Sequence, residues 1–330
     1  MSLRTGPLPR MAGDLTFMRS HRGALTEIND KSLAIIGIPM EDNVGLSSGY
    51  RMSPQALRET SVYFGWQANP QFSHPVDVDA RKKIDTSSIH DRMVDLGDIP
   101  VEGLGRSVAD NLVSDVFNAV RQRGASIIAL SGDQRSVNTV LETQANSEKL
   151  SFIQIGGHTP SSWTQGIPSA RADVDSLISN GTLLAKNTAF LTPLSTSPCE
   201  FLTQYRGQGG QVISAKQLSR ISMPEFREFR LALTENTDSL VVNLDLSAFA
   251  SPLHGMSSKR RFNGVSVTSL QSVMTEIGQS PVSTLIVTGM NPTVNGMSVV
   301  KTGQRLLVTV LLGYIYGRLG LLTSLKREEN

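Results

Sequence analysis

Ser126-Ile127-Ile128-Ala129-Leu130 leads into Ser131-Gly132-Asp133-Gln134, then a helical pattern over Arg135 to Gln144 and a second apolar run, Leu150-Ser151-Phe152-Ile153-Gln154-Ile155. This stretch decides the fold. A short apolar run closed by glycine reads as a buried strand, and about ten residues of helical periodicity between two such runs read as the crossover that joins parallel strands. Strands covered by helices on both faces are continuously apolar instead of alternating. The turn after the first strand then sets Asp133 and Gln134 at the carboxyl edge of the sheet, where open α/β folds keep their chemistry.

The same rhythm extends in both directions. Upstream, Ala34-Ile35-Ile36-Gly37-Ile38-Pro39 is a strand that stops at Gly and Pro. Ser53-Pro54-Gln55-Ala56-Leu57-Arg58-Glu59 opens a helix, with Ser53 as its cap and Pro54 at its first position. Met93 to Asp98 is a second strand, and Val108 to Val120 a helix closed by Gly124. Downstream, strand-like runs return at Thr188 to Leu191, Gln211 to Ile213, Leu240 to Leu246 and Thr284 to Thr288. The predicted fold is a three-layer α/β/α sandwich with a mostly parallel central sheet. It forms one domain over 31–330 behind an N-terminal arm of residues 1–30. Residues 156–186 read as a polar loop leaving a central strand; loops of that length in compact domains are usually functional or disordered, and its place at the strand end favours a site loop.

Composition narrows the function classes. Hydrophobic residues make up 39% and charged residues 18%, with 31 Lys and Arg against 29 Asp and Glu. That balance leaves no electrostatic footprint for nucleic acid or an anionic membrane. A single cysteine, Cys199, excludes an intramolecular disulfide, fits a reducing, cytoplasmic setting and reads as an incidental thiol. The longest apolar run, Leu306 to Tyr316, falls short of the ~20 residues a bilayer span needs and is bracketed by Arg305 and Arg318. It reads as a buried C-terminal helix or as a segment near a subunit interface. Arg4, Arg10, Arg19 and Arg22 look similar to a mitochondrial transit segment, yet an ordinary arm is the preferred reading, since no apolar signal region accompanies them. Gly103-Leu104-Gly105 lacks a preceding strand and a third glycine, so no dinucleotide motif is read there.

Four segments follow predicted strands: Ser131-Gly132-Asp133-Gln134, Gly156-Gly157-His158-Thr159-Pro160, Asn243-Leu244-Asp245-Leu246-Ser247 and Thr288-Gly289-Met290-Asn291-Pro292. Two more lie upstream, Gly49-Tyr50-Arg51-Met52-Ser53-Pro54-Gln55-Ala56-Leu57-Arg58 and Val94-Asp95-Leu96-Gly97-Asp98. In these segments and their order, from Ile35 to Tyr316, the chain resembles the ureohydrolase superfamily of arginases, agmatinases and formiminoglutamases. The front half is most similar to agmatinases. The first upstream segment matches a Gly-Arg-x-Gly-Pro-x-Ala-Ile-Arg-type stretch, and the second a Val-Val-Asp-x-Gly-Asp segment.

The resemblance implies an arginase-like fold, a homo-oligomer (trimer or hexamer), and two Mn²⁺ ions bridged by hydroxide that hydrolyse guanidino or formimino groups. Such hard cations need carboxylate oxygens, supplemented by imidazole. The family's Gly-Gly-Asp-His histidine falls on Gln134. The two aspartates of Asp-Ala-His-x-Asp fall on Gly156 and Pro160, with the histidine kept as His158. Of Asp-x-Asp, the first aspartate is kept as Asp245 and the second falls on Ser247. Two of six ligand positions therefore keep the family residue, and Gly156 and Pro160 offer no side-chain donor. The loop histidine of His-Gly-Thr falls on Asn180, which cannot titrate near neutral pH, and the glutamate that grips the cation falls on Gly289.

The expected protein has thus lost its binuclear centre: no metal, no other cofactor and no catalytic residue, with a regulatory or ligand-binding role, alone or beside an active homologous subunit. His158 is read as a strand-end histidine bonded to a carbonyl rather than a residual ligand. Asp245 is read as a turn cap or a partner of His158. Asp133 is read as holding its loop, and Gln134-Arg135 as solvated or as an anion site at a helix N-terminus. The alternative is an active C–N hydrolase with a rewired or single-metal site, built from His158, Asp245, Asp173 and Asp175. Because the strands read as intact, Gln134→His, Gly156→Asp, Pro160→Asp and Ser247→Asp together are expected to restore six donors.

Overall fold

The structure is a computed structural model that describes residues 14–41, 49–64, 76–77, 81–85, 87–156, 174–192, 199–249, 264–293 and 297–324. Its strands are β1 (His21–Arg22), β2 (Leu33–Ile38), β3 (Val76–Asp77), β4 (Lys82–Ile84), β5 (Met93–Asp98), β6 (Ser126–Ser131), β7 (Leu150–Ile155), β8 (Thr188–Leu191), β9 (Gln211–Ile213), β10 (Ser239–Asp245), β11 (Val282–Thr288) and β12 (Leu322–Ser324). Its helices are α1 (Ser53–Ser61), α2 (Ser87–Arg92), α3 (Arg106–Arg121), α4 (Arg135–Ala145), α5 (Val174–Ser179), α6 (Cys199–Gly207), α7 (Ala215–Leu218), α8 (Met223–Thr234), α9 (Val267–Gly278) and α10 (Met297–Leu319).

Nine strands form one sheet in the order β1-β5-β2-β6-β11-β10-β7-β8-β9, and its pairings are all parallel. Side chains alternate across a strand, so each strand feeds both layers. Leu33, Ile35, Ile128, Leu130, Ile153, Ile155, Val242, Leu244, Leu285 and Val287 point into a core shared with α1, α8, α9 and α10. Ala34, Ile36, Ile127, Ala129, Phe152, Val241 and Ile286 point the other way, into a core shared with α3, α4 and α5. This is the three-layer α/β/α architecture, with each buried aliphatic side chain contributing about 1.5–3 kcal/mol.

The apolar C-terminal run proves to be the heart of α10, whose residues 310 to 317 are all buried within the chain itself. Gly313 and Gly317 let α10 approach α9 closely, since a Cβ at either would press on the α9 carbonyls of Gln271 or Thr275. Two expectations need correction. Ser53 does not cap α1; its hydroxyl donates to Met290 O at 2.6 Å, tying the start of α1 to the end of β11. The stretch read as a loop over 156–186 contains α5, whose Val174 and Leu177 are buried. A second, antiparallel sheet, β12-β4-β3, was not read from sequence.

Candidate functional site

Four neighbouring strands in the order β6-β11-β10-β7 end side by side at the carboxyl edge. Register aligns Asp245 with Thr288, Val287 with Leu130 and Asn243 with Gln154. The described residues of the four motif segments, Gly156 alone in the second, therefore meet at one edge.

Gln134, the residue before α4, turns its amide toward β10. Its Nε2 donates to Asp245 Oδ2 and to Thr288 Oγ1, the latter at 2.8 Å. A carboxylate only accepts, so this contact fixes which end of the amide is nitrogen. Gln134 Oε1 accepts from Asn243 Nδ2 at 3.2 Å, and the same nitrogen donates to Gln154 Oε1 at 2.9 Å. Thr288 Oγ1 donates to Asn243 Oδ1 at 3.0 Å, and Gln154 Nε2 donates to Gly156 O at 3.2 Å. The other oxygen of Asp245, Oδ1, accepts the Ser247 N–H at 2.7 Å and caps the short turn over residues 246–248. Asn243 and Thr288 are fully buried, and Asp245 is 7% exposed.

The two glycines at the site are both left-handed. Gly156, with φ +76°, donates its N–H to Leu191 O; a Cβ there would lie 2.6 Å from Ala248 N and 2.9 Å from Ala248 Cα. Gly289, with φ +79°, donates its N–H to Gly132 O; a Cβ there would lie 2.8 Å from Asp245 Oδ1. At Gly156 the obstacle is backbone, which cannot swing aside as a side chain can. Among the described residues, no group of three or more His, Cys, Asp or Glu is placed to hold a metal ion.

A sequence profile of the arginase family matches residues 31–313. The chain belongs to the arginase family. Solved structures of the same fold include a hypothetical agmatinase from Burkholderia thailandensis, 16% identical, with TM-score 0.75 over 94% of each chain. Formimidoylglutamase from Bacillus subtilis is 14% identical, with TM-score 0.75 over 96% of each chain. Proclavaminate amidino hydrolase from Streptomyces clavuligerus is 16% identical, with TM-score 0.72 over 94% of this chain and 100% of its own. At these identities the likeness is one of fold. No curated protein matches at the level of sequence.

Within this arginase-family chain the sequence-read residues fare differently. Gln134, Gly156, Asp245, Ser247 and Gly289 come together at the carboxyl edge. His158, Pro160 and Asp173 lie outside the described residues, as does the side chain of Asp175. Asn180 is not brought to the network: it is exposed in the turn after α5, on the way back to the start of β8, with its Oδ1 accepting the Thr182 N–H at 3.0 Å. A His-Gly-Thr-like triplet carries no positional information of its own. Asp133 holds its loop as expected, accepting the Arg135 N–H at 2.9 Å. Arg135 is neither solvated nor open to an anion; it is buried, paired with Asp110 at 2.7 Å and bonded to Arg106 O, which clamps α3 to α4. Sequence reading missed Gln154 and Asn243. Their signal was an amide side chain inside each of two largely apolar strands, at positions that pair across the sheet.

Among the described residues, no helix is long and apolar enough to cross a membrane.

Proposed function

We propose that this arginase-family chain has lost the binuclear manganese centre and acts without catalysis, as a regulatory subunit beside an active homologue or as a binding protein. The carrying observation is Asp245. It is the one carboxylate that the resemblance places at the described ligand positions, and both of its oxygens already accept N–H donors, from Gln134 and Ser247. A cation on Asp245 would compete with these donors for the carboxylate, and Gln134 offers it a nitrogen, a group that donates and does not coordinate. Gly156 supplies no donor. The residues at the described positions do not fit two hard cations. We further propose a closed homo-oligomer, a trimer or hexamer, as most soluble assemblies are closed.

The test is turnover. Protein purified in excess Mn²⁺ is offered agmatine, arginine and other guanidino compounds, and release of urea and ammonia is followed. The reading expects none above buffer. Turnover abolished by His158→Ala or Asp245→Ala would replace it with an active hydrolase of rewired or single-metal chemistry.

A further inference from the structure

The residues at and beside the old ligand positions do more than withhold donors. Gln154 sits on β7, Asn243 and Asp245 on β10, Thr288 on β11, and Gln134 in the turn after β6, so one hydrogen-bonded chain crosses four adjacent strands. A metal cluster shared by these strand ends would tie them together by coordination, and metal binding of that kind is folding free energy. We propose that the Gln134–Asp245–Thr288–Asn243–Gln154 network has taken over this structural task, so that the carboxyl edge is braced with no divalent cation. The proposal rests on the reading of the site as metal-free.

The brace is chemically closed. Thr288 Oγ1 accepts from Gln134 and donates to Asn243, so one hydroxyl serves as a relay between two amides. Gln134 spends its nitrogen on Asp245 and Thr288 and its oxygen on Asn243. Asn243 links onward to Gln154, whose own nitrogen reaches the Gly156 carbonyl. Buried networks stabilise when each member is paired and become costly when one is cut, because the remaining groups are left without water or partner. Gln134 is the keystone, since it joins the β6–α4 turn to both β10 and β11. Nothing in the chain of bonds requires a cation or a titrating base.

The test is thermal unfolding of the full chain, first in EDTA and then in millimolar MnCl₂. Wild type is expected to unfold at the same Tm in both. Gln134→Met, which keeps length and removes the amide, is expected to lower Tm by about 2–6 °C in both media. Should that chain fail to fold, Thr288→Val removes the relay hydroxyl with little change of shape and is expected to shift Tm the same way by less. Variants with the Tm of wild type would overturn the brace while leaving the metal-free reading intact. A wild-type Tm raised by Mn²⁺ would overturn both.

Discussion

Gly156 shows how little room the carboxyl edge leaves for a side chain at that position. With φ +76° and the Ala248 backbone 2.6 Å from where a Cβ would stand, it tolerates no side chain without movement of the chain around Ala248. Gly156→Ala is expected to cost at least about 2 kcal/mol in denaturant unfolding, since alanine at positive φ is strained even where space is free. An alanine variant as stable as wild type would show that Ala248 yields easily. The same geometry adds a cost to the four substitutions expected to restore six metal donors: Gly156→Asp meets the same Ala248 backbone, and Gln134→His gives up the amide that Asp245 and Thr288 use. At this scale the sequence was legible where a residue type is decisive, as at Gln134, Gly156 and Ser247. It was illegible where meaning depends on a partner across the sheet. Gln154 and Asn243 each look like an amide side chain in a largely apolar run, and only register makes them a pair.

Elements were readable in proportion to their periodicity. The boundaries of β5, β7 and β8 match the runs read from sequence, because largely buried strands leave a nearly unbroken signal. Two- and three-residue strands such as β1, β3, β4 and β12 carry no period to detect, and the single-turn-and-a-half α5 hid inside a polar stretch. Helix pairing adds a testable electrostatic feature. Glu276 of α9 is buried against α8, accepting from Arg227 Nε at 2.9 Å, Arg227 Nη2 at 2.8 Å and Arg230 Nη2 at 3.0 Å. Burial alone would raise its pKa, yet the hydrogen bonds and charges of Arg227 and Arg230 outweigh it and hold the carboxyl below the usual carboxylate range. A depressed folded pKa contributes stability that is complete above the unfolded value of about 4.3 and is lost as pH falls through the lower folded value. Glu276→Gln is therefore expected to lower Tm at neutral pH and to converge on wild type in acid. A deficit that stays constant down to pH values below the carboxylate range would assign the loss to packing instead.

At the scale of the whole molecule, the nine-stranded parallel sheet and its two helical layers give the fold shared with the agmatinase and formimidoylglutamase structures. The fold class was legible because apolar strand runs alternate with helical patterns, whereas the strand order and the hydrogen-bonded network at the carboxyl edge needed coordinates. The proposed closed homo-oligomer is checked by light scattering at micromolar concentration, where a trimer or hexamer is expected and a monomer would refute it. The central claim, that the dimetal centre is gone, is tested most directly by metal content. Protein expressed and purified in excess Mn²⁺, then desalted, is analysed for bound metal per chain. Far less than one Mn²⁺ per chain is expected; a value near two would show that the dimetal centre is intact.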